Sequence, residues 1–442
     1  MVVPRCGVFR DRTLSLTHTT VRSHATSLLA LSISLVTIAC GADARSAEAV
    51  SGGAALERFE ELPSPAPPGS AEPNLAVGPD GRVHLSWLEP TPDSGHALRF
   101  AVLRGRAWSA PLTVARGRNF FVNWADFPSL QVLPGGRLAA HWLERSAAQK
   151  YSYDVRVATS ADGGRTWGRP VTPHRDGTAS EHGFVAMWAS AGGVAMAWLD
   201  GRKYAKVKVQ EDPAGKEMML VSAELAPSGA LGPERRVDER TCDCCQTAVA
   251  ATSRGPLLVY RDRSEGEIRD IYASRFERSY WTPPRAVHAD GWKVDFCPVN
   301  GPAVAARGNR VVVAWFTGAR DTARVNIAFS DDAGDAFGAP IRVDGGSPAG
   351  RVGVLLGADG GALVSWVERA GSGENAEVRV RRVSAAGVAG PPLVVAASSA
   401  ARASGFPRMV ASGDTVVVAW TLPGRPSSVR VARGILAPAA RR

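Results

Sequence analysis

Residues 74–87 read NLAVGPDGRVHLSW: a short apolar strand, a glycine turn and a second strand that ends in an aromatic residue. The pattern returns six more times, roughly every 55 residues. The copies are SLQVLPGGRLAAHW (129–142), VAMWASAGGVAMAW (185–198), AVAATSRGPLLVY (248–260), AVAARGNRVVVAW (303–315), VGVLLGADGGALVSW (352–366) and RMVASGDTVVVAW (408–420). A period of this length indicates propeller blades or solenoid repeats.

Each copy is followed by a third Val- or Ile-rich segment, such as residues 98–103, and by a fourth that begins with a small residue or proline, such as residues 111–114. The seventh copy lacks the fourth segment, which residues 56–62 (LERFEEL) can supply, closing a ring and removing the open sheet edge. We therefore predict an all-β protein, a β-propeller of four-stranded antiparallel blades over residues 56–435, with residues 436–442 as a tail. The count gives seven blades, or six if one unit is degenerate; an irregular β-sandwich is the alternative.

The N-terminus has the order of an export signal. Residues 1–26 are polar and basic, residues 27–39 (SLLALSISLVTIA) are apolar, and Cys40 follows a small residue. We expect residues 1–39 to be a signal peptide, Cys40 a lipid anchor and residues 40–55 a tether, with an ordinary cleaved signal as the alternative. The protein is then exported to the periplasm or cell surface and meets a membrane only through its lipid.

Composition narrows the classes of function. The 442-residue chain is 45% hydrophobic, which excludes disorder throughout. Its longest apolar run, residues 27–39, is too short to span a bilayer. The net charge is +10, but only six of the 52 basic residues are lysine and no run of five basic residues occurs. Nucleic-acid binding therefore has little support, whereas a preference for anionic partners remains.

Two turns resemble a known motif. Ser160, Asp162, Gly164, Thr166 and Trp167 in SADGGRTW match the sialidase Asp-box S-x-D-x-G-x-T-W, and SDDAGDAF (330–337) is a degraded copy. The chain thus resembles the sialidase (BNR-repeat) superfamily. The resemblance implies a propeller fold, a role on acidic glycans, and structural Asp-boxes on the face opposite the active site. The first blade opens Glu72-Pro73-Asn74, however, without the Arg-Ile-Pro that sialidases show there, and the family usually has six blades.

The densest charged segment is RDRSEGEIRD (261–270), which links the second and third strands of blade 4. Asp262 and Glu267 are the predicted acid/base pair, because glycoside hydrolysis uses two carboxyl groups in different environments. Arginines bind carboxylates through paired N–H donors, so we expect a substrate clamp in this region. Its predicted members are Arg261, Arg263, Arg269, Arg202, Asp243, Asn300, Arg351 and Arg408. The alternative for the segment itself is a self-neutralising ion network.

Four cysteines fall in the predicted propeller: Cys242, Cys244, Cys245 and Cys297. In an exported domain, two disulfides are the simplest expectation, one of them joining Cys297 to the cluster. A thiolate site for zinc or copper(I) is the alternative. Otherwise no cofactor is predicted.

Three functions remain open at this stage. The chain is a hydrolase of acidic glycosides, a non-catalytic propeller that binds a glycan, another anionic ligand or a protein, or a cysteine-based metal or redox protein.

Overall fold

The computed structural model describes residues 58–205 and 217–436. The predicted signal peptide, Cys40 and the tether lie outside these residues. Secondary structure is almost entirely β. In the first three blades the strands are β1 (Glu60–Leu62), β2 (Ala71–Val77), β3 (Val83–Pro90), β4 (His96–Arg104), β5 (Ala107–Trp108), β6 (Leu112–Gly117), β7 (Ser129–Val132), β8 (Leu138–Arg145), β9 (Tyr153–Ser160), β10 (His182–Ser190), β11 (Gly193–Asp200), β12 (Met218–Leu225) and β13 (Arg235–Thr241).

The remaining strands continue the same order around the molecule. They are β14 (Ala248–Thr252), β15 (Gly255–Arg261), β16 (Ile271–Glu277), β17 (Tyr280–Trp281), β18 (Arg285–His288), β19 (Ala303–Arg307), β20 (Arg310–Thr317), β21 (Arg324–Ser330), β22 (Ile341–Arg342), β23 (Pro348–Leu356), β24 (Ala362–Arg369), β25 (Asn375–Val383), β26 (Ala389–Ser399), β27 (Arg408–Ser412), β28 (Thr415–Leu422) and β29 (Ser428–Ile435). The helical elements of the described chain are short 3₁₀ turns at Pro134–Gly136, Arg202–Tyr204, Glu265–Glu267, Ala319–Asp321 and Arg402–Ser404.

The strands form seven antiparallel sheets whose first strands are β2, β7, β10, β14, β19, β23 and β27. Strand β1 pairs with β29, with Glu60 opposite Arg433 and Leu62 opposite Val431, so an N-terminal strand completes the last sheet. The predicted seven-bladed propeller, closed by an N-terminal strand, is confirmed. Blade 2 departs from four strands: its fourth is a single bridge between Val157 and Val171, next to Pro170, which has no N–H to donate to a ladder.

The core is divided among the gaps between blades. Seven apolar clusters each join two neighbouring sheets, as where Leu98 and Phe100 of blade 1 pack with Leu138 and Trp142 of blade 2. Because second strands such as β20 and β28 carry apolar residues on both faces, their sheets can bury both faces. Among the described residues, no helix has the length and apolar character needed to cross a bilayer.

In most blades, the aromatic residue near the end of the second strand donates a hydrogen bond to a carboxylate side chain. The indole N–H donates to a carboxylate two residues later in the pairs Trp87–Glu89, Trp142–Glu144, Trp198–Asp200 and Trp366–Glu368. Blade 4 differs, because Tyr260 replaces the tryptophan and its hydroxyl donates to Asp238. Asp262, the residue two positions after Tyr260, therefore receives no indole N–H.

The turn after β9 has the hydrogen bonds expected of the Asp-box residues. The Ser160 hydroxyl accepts the Gly164 N–H at 2.8 Å, and the Asp162 carboxylate accepts the Thr166 N–H at 2.9 Å and its hydroxyl at 2.7 Å. Gly164 has φ +85°, and Trp167 packs edge-on against Phe100 of blade 1. The turn thus ties blade 2 to its neighbour.

Candidate functional site

The loops that join second to third strands, and those that lead from one blade to the next, share one face of the ring. On this loop face, four non-glycine residues at or just before an innermost strand have positive φ: Glu72 (56°), Phe184 (54°), Val299 (48°) and Arg351 (57°). Strand β10 also changes register between Gly183 and Ala186. Bulges and such backbone conformations cluster where side chains are re-aimed for function. The strain therefore marks this end of the propeller axis.

A cavity of about 410 Å³ runs along the axis and is lined by the innermost strands of all seven blades. Its lining is mostly Val, Ala and Leu, and its charged lining residues are Asp126 and Arg408. We call the loop-face end of this cavity the axial mouth, and define it by Asp126, Phe127, Phe406 and Arg408.

Asp126 is the most elaborately bonded carboxyl group at the axial mouth. Its Oδ1 accepts the Phe184 backbone N–H at 2.7 Å, and its Oδ2 accepts the Tyr153 hydroxyl at 2.7 Å. The same hydroxyl oxygen lies 3.1 Å from Glu181 Oε1, and the Tyr204 hydroxyl donates to Glu181 Oε2 at 3.0 Å. Two carboxyl groups thus contact the same phenol hydroxyl.

Burial sets the protonation of these acids. Asp126 is only 2% exposed, and burial raises its pKa to about 7, helped by the charge of Glu181 and opposed by the hydrogen bonds from Tyr153 and Phe184. Burial, and then the charge of Asp126, raises the pKa of nearby Glu72 well above its ordinary value. The axial mouth therefore holds carboxyl groups that can carry a proton near neutral pH.

Two of the predicted arginines reach this region. The Arg408 guanidinium lies 5.2 Å from the Phe127 ring centre, and the Arg351 guanidinium lies 5.4 Å from that of Trp124. Phe406 packs between the two rings, 5.8 and 5.9 Å from them. Burial lowers the pKa of each arginine to about 10.

Neither Arg351 nor Arg408 forms an ion pair within the described chain. Arg351 donates instead to neutral groups, the Ser404 hydroxyl and the carbonyls of Ala400 and Ala401. The donors of Arg351 are therefore used within the fold, like those of Arg261, and Arg408 is a buried arginine without an acidic partner among the described residues. Predicted Asn300 has a supporting position, because its Oδ1 accepts the Arg351 backbone N–H at 2.7 Å.

The charged loop after β15 forms the self-neutralising network that was the alternative for it. Glu267 Oε1 accepts from Arg263 at 2.8 Å and Arg240 at 3.4 Å, and its Oε2 accepts from Arg269 at 2.8 Å. Burial alone would raise the pKa of Glu267, but the bonds from Arg263 and Arg269 lower it on balance. Three arginines thus contact the Glu267 carboxylate and keep it ionised, which does not favour its predicted role as an acid/base.

Arg261 serves the fold in this structure. It is 2% exposed, donates to the carbonyls of Asn300, Arg269 and Phe316, and stacks on Trp292 at 4.8 Å. It therefore joins two loops and does not face a ligand as the predicted clamp requires. Asp262 keeps a chemical signature, because burial and the charge of Asp238 raise its pKa to about 7.

Predicted Arg202 is likewise paired internally, with Asp200 at 2.6 Å and Glu234 at 2.9 Å. Beside it, the rings of His174 and His182 stack 3.7 Å apart with an interplanar angle of 2°. Asp176 Oδ1 lies 3.3 Å from His174 Nδ1 and 3.2 Å from His182 Nε2. This buried group ties blade 2 to blade 3.

The cysteines form a thiol cluster, made of Cys242, Cys244, Cys245 and Cys297. All four are thiols in the structure, and the Cys242 and Cys245 sulfurs lie 3.2 Å apart, well beyond the S–S bond length of about 2.05 Å. The structure thus does not contain the predicted disulfides, and their pairing stays a prediction for oxidised protein.

The thiol cluster adjoins the charged loop, as the propeller topology predicts. Arg269 lies 3.5 Å from the Cys242 sulfur and 3.4 Å from predicted Asp243. Burial would raise the pKa of Cys242, but bonds from Cys244 and Cys245 and the charge of Arg269 bring it well below the ordinary value.

No family model matches the chain, and no curated protein matches it. Solved structures similar to it include the GH93 α-L-arabinofuranosidase of Fusarium graminearum, at 14% identity over 86% of this chain and 98% of that one, with a TM-score of 0.47. Polysaccharide lyase Uly1 is 8% identical over 88% of this chain and 98% of that one, with a TM-score of 0.49. The Hadza microbial sialidase Hz136 is 13% identical over 67% of this chain and 63% of that one, with a TM-score of 0.40. These are likenesses at low identity, and the seven-bladed propeller itself is established by the sheet order and ring closure described above.

Proposed function

We propose that the protein is an exported propeller that binds an acidic glycan at the axial mouth and hydrolyses a glycosidic bond, with Asp126 as the proton donor. The observation that carries the proposal is the Asp126–Tyr153–Glu181 group at a cavity that Arg408 also lines. A carboxyl group with a pKa of about 7 retains its proton near neutrality and can pass it to a leaving-group oxygen.

The remaining residues of the region have roles that suit such a ligand. Arg408 supplies positive charge for a sugar carboxylate, which arginine binds through paired N–H donors. Trp124 and Phe127 offer aromatic faces on which the apolar side of a sugar ring can pack. Glu181, linked to Asp126 through Tyr153, is the second carboxyl group that glycoside hydrolysis requires.

The test is turnover of a panel of fluorogenic sialosides and uronides. Asp126→Asn keeps the shape of the side chain but removes its acidity, so we expect a rate loss of about 10²–10⁴. Because the protonated form acts, kcat/KM should fall as the pH rises through about 7.

Asp262→Asn is the matched variant, because its pKa is also raised to about 7 but it lies in the charged loop. Full activity in Asp262→Asn with loss in Asp126→Asn supports the axial mouth. The reverse pattern moves the chemistry to the charged loop, as the sequence predicts. Glycan binding without cleavage across the panel leaves a binding propeller, and the loss of binding in Arg408→Ala would then still locate the ligand.

A further inference from the structure

Four sulfur atoms from the loops before and after blade 4 converge on the loop face. Cys242, Cys244 and Cys245 directly follow β13, and the sulfurs of these three lie within 4.8 Å of one another. Cys297 comes from the loop before β19, and its sulfur lies within 4.8 Å of Cys244 and of the Asp243 carboxylate. Residues of two blades thus form one cluster that the glycan site does not use.

The sulfur spacing fits one bound metal ion. Metal–thiolate bonds are about 2.3 Å long, so sulfurs that share an ion lie about 3.5–4.6 Å apart, depending on geometry. Cys242 and Cys244 are 3.8 Å apart, and Cys242 and Cys245 are 3.2 Å apart. A triangle of this size closes on a central ion with only a small outward movement of Cys245.

The surroundings are already arranged for a charged thiolate group. Cys242, Cys244 and Cys245 are at most 9% exposed and pack with Tyr260 and Phe406. The Cys242 backbone N–H donates to the Arg261 carbonyl at 3.0 Å, which fixes the start of the loop. Arg269, 3.5 Å from the Cys242 sulfur, supplies a positive charge at the cluster.

We propose that Cys242, Cys244 and Cys245 bind one soft metal ion, copper(I), in a three-coordinate thiolate site, with the exposed Cys297 at its entrance. Thiolates select soft ions, and copper(I) accepts three of them. Structural zinc is almost always held by four ligands in a tetrahedron. Cys297 does not complete a four-sulfur set within 4.8 Å among the described residues, so the geometry favours copper(I) over zinc.

The experiment is a copper(I) titration of the full, reduced chain under anaerobic conditions, against a competing copper(I) chelator. Cys6 and Cys40 are first replaced by serine, so that the four thiols of the cluster are the cysteines measured. We expect one copper(I) per chain and three sulfur neighbours by X-ray absorption. Cys242→Ser and Cys245→Ser should each weaken binding at least 100-fold. Cys297→Ser is the matched control, and should keep one copper(I) with an affinity loss of tenfold or less.

Several outcomes would overturn the proposal. The first is reduced protein that takes no copper(I) from the chelator while circular dichroism shows it folded. The second is equal loss of affinity in Cys245→Ser and Cys297→Ser, which would mean that Cys297 is a ligand and the site is not a three-sulfur one. The third is zinc displacing copper(I) from the site at equal concentration. The fourth is protein whose intact mass shows two disulfides and which, after reduction, still takes up no copper(I).

Discussion

The His174–His182 stack shows how a buried ionisable pair links two blades and makes stability depend on pH. Burial lowers the pKa of His182, but the bond from Asp176 and the charges of Asp200, Asp176 and Asp154 raise it on balance. Because the folded-state pKa lies above the unfolded value, protonated His182 stabilises the fold fully below about pH 6.5. That contribution is lost as the pH rises through the folded-state pKa.

We therefore expect the free energy of unfolding to fall when the pH is raised from 5.5 to 8.5, measured by urea denaturation. His182→Gln should remove the part of this pH dependence that is due to His182, while Asp126 and Asp262, whose pKa values burial raises to about 7, still lower stability over the same range. His288→Gln is the control, because the His288 side chain is 39% exposed and lies 3.9 Å from its nearest acid. An unchanged pH profile in His182→Gln would show that another group titrates.

Residues also explain why the candidate site was only partly predictable. Arg351 and Arg408 were predicted as substrate-binding residues from their position in the repeat, and the structure brings both to the axial mouth region. Asp126 and Glu181 are isolated acids in ordinary loops, so neither charge density nor a motif distinguishes them. The charge density of residues 261–270 predicted the site there instead. Neighbouring opposite charges mainly pair with one another, however, as Glu267 pairs with Arg263 and Arg269.

Single strands could be predicted from the sequence more reliably than the candidate site. Strands such as β3 and β20 were predictable because apolar runs rich in Val and bounded by glycine turns favour buried strands. The fourth strand of blade 2 was not, because a strand of one bridge has no periodicity to detect. The four Trp–acid pairs share the sequence pattern W-x-[DE], which also occurs once more, at Trp124–Asp126.

The Asp-box turn provides a test at the level of the element. An alanine Cβ at Gly164 would lie 2.4 Å from the Phe100 ring and would have to adopt φ +85°. We expect Gly164→Ala to lower the free energy of unfolding by about 2–4 kcal/mol, through backbone strain and overpacking.

Gly163→Ala is its matched control, because Gly163 has φ +72° and no atom within 4 Å of the added Cβ. That variant should lose only about 1 kcal/mol, again by urea denaturation. Equal losses at the two positions would mean that the contact with Phe100 does not limit stability.

At the scale of the whole molecule, ring closure depends on the three residues of β1 and on Phe59 just before it. Phe59 and Leu62 are buried, and Glu60 and Glu61 pair with Arg433 and Arg430 of β29. A chain that begins at residue 63 leaves β29 as an open edge. We expect it to lose about 3–6 kcal/mol of stability from the two apolar side chains, and to self-associate through that edge.

Thermal unfolding and analytical ultracentrifugation measure both effects. A chain that begins at residue 58 retains β1. It should match the full chain in melting temperature and in its degree of self-association. If removal of residues 58–62 changes neither property, strand β1 is not needed for stability or for protecting the edge of β29.

The circular arrangement of apolar clusters has a further consequence for damage. A single backbone cut between blades 4 and 5 would leave two fragments that still meet at two seams, one at the cut and one where blade 7 lies against blade 1. The hydrogen bonds between β1 and β29 would also hold the two fragments together at the second interface. Such a cleaved molecule would keep its fold. It would run as one species under native conditions and as two fragments after denaturation.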